Sequence, residues 1–122
     1  KKRHFFSIWP SFYPTSCIAF KRKFFDNFLK VLKKNKFTNL EIDARLSIYA
    51  YIINQFYITN KSLTIYNYDE NGISSKYKKF SKFWWKKRNE AFEYMIFLMK
   101  KFNTKSYLGP DYYLTKIINL FI

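Results

Sequence analysis

A mainly α, four-helix single domain with a small β-hairpin and an extended basic N-terminal arm is the fold class this chain predicts. Three observations carry that expectation. Apolar residues recur at helical spacing over four stretches, one alternating stretch beside an Asn-Gly pair has the period of a strand, and residues 1–19 show neither period. With 122 residues the chain can bury one modest core. Residues 1–19 are therefore read as the arm, and 20–122 as a single helical domain with its hairpin at about 63–80.

The arm mixes Pro10 and Pro14 with Ser7, Ser11, Thr15, Ser16 and several aromatics behind a Lys1, Lys2, Arg3, His4 head. From Phe20 onward, Phe24, Phe25, Phe28, Leu29 and Leu32 share one face, and Lys21, Arg22, Lys23, Lys30, Lys33 and Lys34 share the other. This spacing predicts a basic amphipathic helix over 20–35. Thr38 and Glu41 form a capping-box pair for a second helix over 39–57. That helix places Ile42, Leu46, Tyr49, Ala50, Ile53 and Phe56 on one stripe and Ile48 and Ile52 on another, so it is the expected centre of the core. Residues 63–68 alternate, Asn71-Gly72 supplies the turn, and 73–80 return as the second arm of the hairpin. A third helix over 83–102 turns Phe92, Met95, Ile96 and Met99 inward. After Gly109, Pro110 and Asp111, Leu114, Ile117, Ile118 and Phe121 make a short fourth amphipathic helix over 111–121, which joins the other three in forming the core.

The densest chemical signal lies at 76–88, KYKKFSKFWWKKR, where basic and aromatic side chains alternate without an acid. Lysine and arginine neutralise phosphates with release of counterions, and aromatic faces stack on unpaired bases for roughly 1–3 kcal/mol each. The whole chain carries 23 Lys and Arg against 8 Asp and Glu, a formal +15. That is well beyond the magnitude of ~2–8 that keeps a small domain soluble, so a polyanionic partner is expected, and RNA fits the aromatic component best. Phe (15) and Tyr (11) abound while Gly (2) and Pro (3) are scarce. Residues with AT-rich codons thus dominate, which points to an AT-biased genome such as that of an organelle. Codon bias accounts for part of the lysine and aromatic excess, but not for the clustering at 76–88.

Catalysis finds little support. His4 and Cys17 are the sole residues of their kinds, and no glycine-rich loop appears. Cys17 alone excludes a disulfide within the chain and a cysteine metal site. Glu90 and Glu93 are read as helical-spacing partners of Lys86 and Lys87 rather than as a catalytic pair. No cofactor, metal or small-molecule substrate is expected. The longest mostly apolar stretch, 46–58, is interrupted by Asn54 and Gln55 and falls short of the ~20 residues of a membrane span. The chain begins at Lys1 without a methionine, so residues are expected to precede it, and a targeting peptide cannot be read from it.

Residues 25–34, a Phe-Asp-Asn-Phe run ending in basic residues, Ala44 to Ala50, and the passage from 76 through Arg88, Ala91 and Phe92 to Leu98 together resemble bacterial-type ribosomal protein seven of the small subunit. The resemblance covers about 24–122, in pattern more than in identity. The family's Gly-Lys-Lys appears here only as Lys34-Asn35-Lys36, and its paired hairpin glycines and C-terminal helix are missing. The resemblance implies a place on the 3′ major domain of the rRNA in the lower small-subunit head, with the hairpin near the messenger exit. It also implies rRNA contacts by Lys76, Lys78, Lys79 and Arg88.

The expectation is a noncatalytic constituent of a mitochondrial or other organellar ribosome, matrix-located, with rRNA and neighbouring ribosomal proteins as partners and no membrane span. Its candidate RNA contacts are Lys1, Lys2 and Arg3 in the arm and Lys21, Arg22, Lys23, Lys33, Lys34 and Lys36 along the first helix. The densest set is Lys76, Tyr77, Lys78, Lys79, Lys82, Trp84, Trp85, Lys86, Lys87 and Arg88. Tyr77, Trp84 and Trp85 are the expected stacking rings, because neighbouring aromatics on a helix cannot all face one core. Lys86, Lys87 and Arg88 are expected to lack a protein anion at the helix start, where cations oppose the dipole. The alternative is an interaction subunit of an organellar membrane complex, with aromatic helices against other subunits and lysines against anionic headgroups.

Overall fold

A computed structural model describes residues 6, 18–32, 36–57, 59, 65, 78–105 and 107–122. Its described residues form four helices, α1 (Arg22–Val31), α2 (Ile42–Ile52), α3 (Lys82–Lys101) and α4 (Gly109–Leu120).

The core is built on α3. Ala91, Phe92, Tyr94, Met95 and Leu98 are wholly buried on it, and Leu46, Ile48, Tyr49 and Ile52 of α2 pack against them. Glu41 meets Lys87 and Tyr49 meets Phe102, so α2 runs alongside α3 in the same direction. Phe24 and Phe28 of α1 close on Tyr49, with ring centroids 5.3 and 5.5 Å away. The amphipathic reading of α1 holds: Lys21, Arg22, Lys23 and Lys30 are exposed, and Phe28 and Val31 are buried. Phe20 and Leu29, expected inward, are instead exposed, and Phe20 stacks on Phe25 at 4.8 Å. The helix is also shorter than 20–35, because Leu32 turns to an extended conformation.

The capping box expected at Thr38 does not form. α2 starts at Ile42 with Glu41 at its N-cap position and no side-chain cap. Two competing interactions explain the difference: the Glu41 carboxylate takes the Lys87 ammonium at 2.5 Å, and Arg45, buried in α2, donates to the carbonyls of Phe37 and Leu40. Those bonds fold the α1–α2 connection over the core, with Phe37 at φ 62 and its ring 5.1 Å from Tyr94. At the other end α2 stops at Ile52, short of 57, because Asn54 adopts φ 55. The Gln55 and Asn54 amides then donate to the carbonyls of Ala50 and Tyr51, the double closure of a Schellman motif. Asn103, at φ 48, ends α3 the same way through Thr104 to Met99 and Asn103 to Lys100.

The hairpin is not borne out. No strand occurs among the described residues; Ile65 and residues 78–80 are irregular or turn, and the rest of 63–77 lies outside the described residues. Residues 79–81 instead form a turn into α3, whose N-cap is Ser81, its hydroxyl accepting from the Trp84 amide at 3.2 Å.

α4 corrects a second expectation. Most of its apolar stripe does not face the core: Leu114 and Ile117 are exposed, Leu120 and Phe121 are each 81% exposed, and of the expected stripe Ile118 alone is half-buried. Asp111 and Thr115 turn inward instead. α4 is oriented by polar bonds to α3. Arg88 pairs with Asp111, Lys116 meets Glu93 at 3.1 Å, and Asn119 donates to the Trp85 carbonyl at 3.1 Å. With Asp111 placed against α3, 100° per residue carries residues 113, 117 and 120 to the opposite side of the helix. Gly109 begins the helix at φ 71, and a Cβ there would lie 2.8 Å from the Phe6 carbonyl oxygen. That oxygen accepts from the Asp111 amide at 3.2 Å, so one residue of the arm is held against the start of α4.

Candidate nucleic-acid interface

Four lysines gather where the chain turns into α3. Lys78 and Lys79 precede the Ser81 cap, and Lys82 and Lys86 lie one turn apart on the helix beyond it; all four are exposed. None of the four makes an ion pair among the described residues, and Lys79 sits over the Phe80 ring at 5.1 Å. The first turn of α3 has no acidic residue. Cations there oppose the partial positive charge of the helix N-terminus, at a few tenths of a kcal/mol or more.

The other cations of the cluster are engaged within the protein. Lys87 is bound to Glu41. Arg88 lies with its guanidinium against Asp111 and its plane over the rings of Trp84 and Phe92, at 5.1 and 5.7 Å. The expectation that Lys87 and Arg88 lack a protein anion is therefore overturned. Their partners come from α2's start and from α4, so helical spacing within α3 did not point to them. Glu90 and Glu93 are likewise not the partners of Lys86 and Lys87. Glu90 accepts from the amide and side chain of Asn39, and Glu93 from Lys116 and Asn89.

Among the aromatics, Trp84 and Trp85 are half-buried and pack edge to face at 4.7 Å. Phe80 rests against both at 5.3 and 6.2 Å and stays 63% exposed, while Phe83 is 68% exposed. The two phenylalanines are thus more open than the tryptophans chosen from the sequence. Their signal was present, since Phe83 sits on the same helical face as neither Phe92 nor Met95.

The remaining candidates divide by position. Lys21, Arg22 and Lys23 are exposed at the start of α1, and Lys36 is exposed with its ammonium over the Phe37 ring at 5.0 Å. Lys1, Lys2, Arg3, Lys33, Lys34, Lys76 and Tyr77 lie outside the described residues. Because α1 packs on Tyr49, which contacts Phe102, its cations lie toward the far end of α3, a helix about 30 Å long. There Lys100, Lys101 and Lys105, absent from the sequence-based set, are also exposed. Among the described residues the basic surface therefore falls into two patches rather than one.

Burial raises the phenol pKa of Tyr94 well above its ordinary value, against a smaller opposing effect of Arg45, and burial also raises that of Tyr49. Both rings belong to the core. Among the described residues no three His, Cys, Asp or Glu side chains gather as a metal site would require. No helix there is long and apolar enough to cross a membrane. Compared with family models, curated proteins and solved structures, the chain matches none.

Proposed function

We propose that this chain is a noncatalytic, rRNA-binding structural constituent of a mitochondrial or other organellar ribosome. The supporting observation is the group of exposed lysines Lys78, Lys79, Lys82 and Lys86 around the exposed rings of Phe80 and Phe83, in a chain of formal charge +15. Phosphate contacts set position on RNA, and rings with open faces suit bases outside a duplex. The second patch, at α1's start and α3's end, gives such an RNA a second point of contact. A place in the small-subunit head follows from the resemblance of 24–122 to ribosomal protein seven and from nothing else.

A second reading, an interaction subunit of an organellar membrane complex, is favoured by one feature. The outer face of α4 exposes Leu114, Ile117, Leu120 and Phe121 without a charge among them. One sedimentation experiment separates the two. The native assembly containing this chain is run on a density gradient with and without ribonuclease treatment. Release of the chain from a large particle by ribonuclease is the expected result; co-migration with membrane after that treatment overturns the ribosomal reading.

A further inference from the structure

Trp84 and Trp85 have little free face to offer a ligand, each packed on the other and on Phe80, with Arg88 over Trp84. Phe83 is different: it is 68% exposed, and among the described residues no ring stacks on it. Phe80, also mostly exposed, is held at φ 66, a backbone region that bulky side chains rarely adopt. Core packing does not account for a large apolar side chain kept at the surface in that conformation. Around these rings stand Lys78, Lys79, Lys82 and Lys86.

Resting on the RNA-binding reading above, we infer that Phe80 and Phe83 form a stacking platform for unpaired RNA bases, with Lys78, Lys79, Lys82 and Lys86 on the flanking phosphates. Trp84 and Trp85 are positioning residues that support Phe80 from behind. Unpaired rather than duplex RNA is the ligand for a steric reason. Bases in an A-form helix stack on one another and present a deep, narrow major groove that side chains do not enter, whereas a loop or bulge exposes base faces. Charge favours RNA over an apolar protein surface. A protein partner would have to bring several carboxylates to balance the lysines, while each nucleotide supplies a ring and an anion together. Lys79, now over Phe80, exchanges the ring for a phosphate when a base arrives.

The test uses the full chain and two probes of about ten nucleotides, a dye-labelled single-stranded oligouridylate and a blunt RNA duplex, with binding read by fluorescence anisotropy over a salt series. The variants are Phe83→Ala and Phe80→Asn; asparagine tolerates a left-handed φ, so the turn is preserved. Far-UV circular dichroism and urea midpoints establish that both variants fold. Each substitution is expected to weaken single-strand binding about ten-fold, to leave duplex binding nearly unchanged, and to leave the salt slope unaltered because no phosphate contact is lost. Equal weakening of both probes, or of neither, overturns the platform while RNA binding itself stands. If the unsubstituted chain binds neither probe at low salt, the RNA-binding reading falls; sedimentation with phosphatidylserine vesicles in that case supports the membrane alternative.

Discussion

Replacing Arg88 by Met tests whether this residue serves the fold or a ligand. Its side chain is 15% exposed and that of its partner Asp111 is 3% exposed. The guanidinium is held on a second side by the rings of Trp84 and Phe92. Met retains much of the aliphatic volume but leaves the Asp111 carboxylate buried without its cation, and that carboxylate's other oxygen, Oδ1, already has no hydrogen-bond partner among the described residues. Breaking a buried pair from one side costs about 3–5 kcal/mol, a large share of the roughly 5–15 kcal/mol by which such domains are stable. Adding Asp111→Asn removes the stranded charge, so the double variant should recover about 2 kcal/mol or more of the loss by the same reasoning. Urea unfolding followed by far-UV circular dichroism reads both quantities; tryptophan fluorescence is unsuitable because Trp84 touches Arg88. A loss under about 0.5 kcal/mol for Arg88→Met, the range of ordinary surface substitutions, would refute the reasoning and return Arg88 to the candidate RNA contacts.

Three further outcomes are expected. Gly109→Ala should destabilise by about 1–2 kcal/mol from its left-handed φ alone, and more from the close approach to the Phe6 carbonyl. Faster hydrogen exchange of the Asp111 amide would report the lost contact, and an unchanged urea midpoint would contradict it. Tyr94 keeps its proton in the folded state at pH values where the unfolded phenol, with a pKa of about 10, has lost it. The unfolded chain then binds fewer protons, so this stabilisation is complete below pH ~10 and declines above it by about 1.4 kcal/mol per pH unit. Tyr94→Phe should flatten that alkaline decline and, because the Tyr94 hydroxyl has no hydrogen-bond partner among the described residues, raise stability at neutral pH by up to about 1 kcal/mol. Finally, Lys82→Gln with Lys86→Gln should make the slope of log binding constant against log salt shallower by about 1.4 on single-stranded RNA. Lys87→Gln, whose ammonium is committed to Glu41, should leave the slope as it is, and equal effects of the two would show that the ion pair opens on binding.

Helical periodicity made most of the architecture legible. Phe92 and Met95 lie wholly buried where the 3.6-residue period placed them, and the basic face of α1 is exposed as its lysine pattern required. Helix ends were less legible. Thr38 and Glu41 matched a capping box, but Glu41 had a stronger use in binding Lys87 from another helix. Asn54 and Asn103 did carry a readable stop signal, since asparagine accepts the left-handed conformation that closes a helix. The candidate site was legible as a segment and not as a set of side chains. Lys82 and Lys86 remain open to solvent, whereas Lys87 and Arg88, next to them in order, point to anions on α2's start and on α4.

The amino-acid order by itself determined that the chain is mainly helical, where its four helices fall, and that residues 76–88 concentrate positive charge and aromatic surface. These are local properties, set by backbone period and composition. Tertiary structure alone decided which cations are free, which rings are exposed, and which way α4 faces. Asp111 decided the last of these. An apolar stripe predicts burial only while nothing else fixes its helix, and here the side of α4 against α3 is taken by Asp111, paired with Arg88, while Leu114, Ile117 and Leu120 lie exposed. Ion pairs between residues 23 and 46 positions apart have no periodic signature, and it is they that sorted the basic cluster into residues that hold the fold and residues left for a partner.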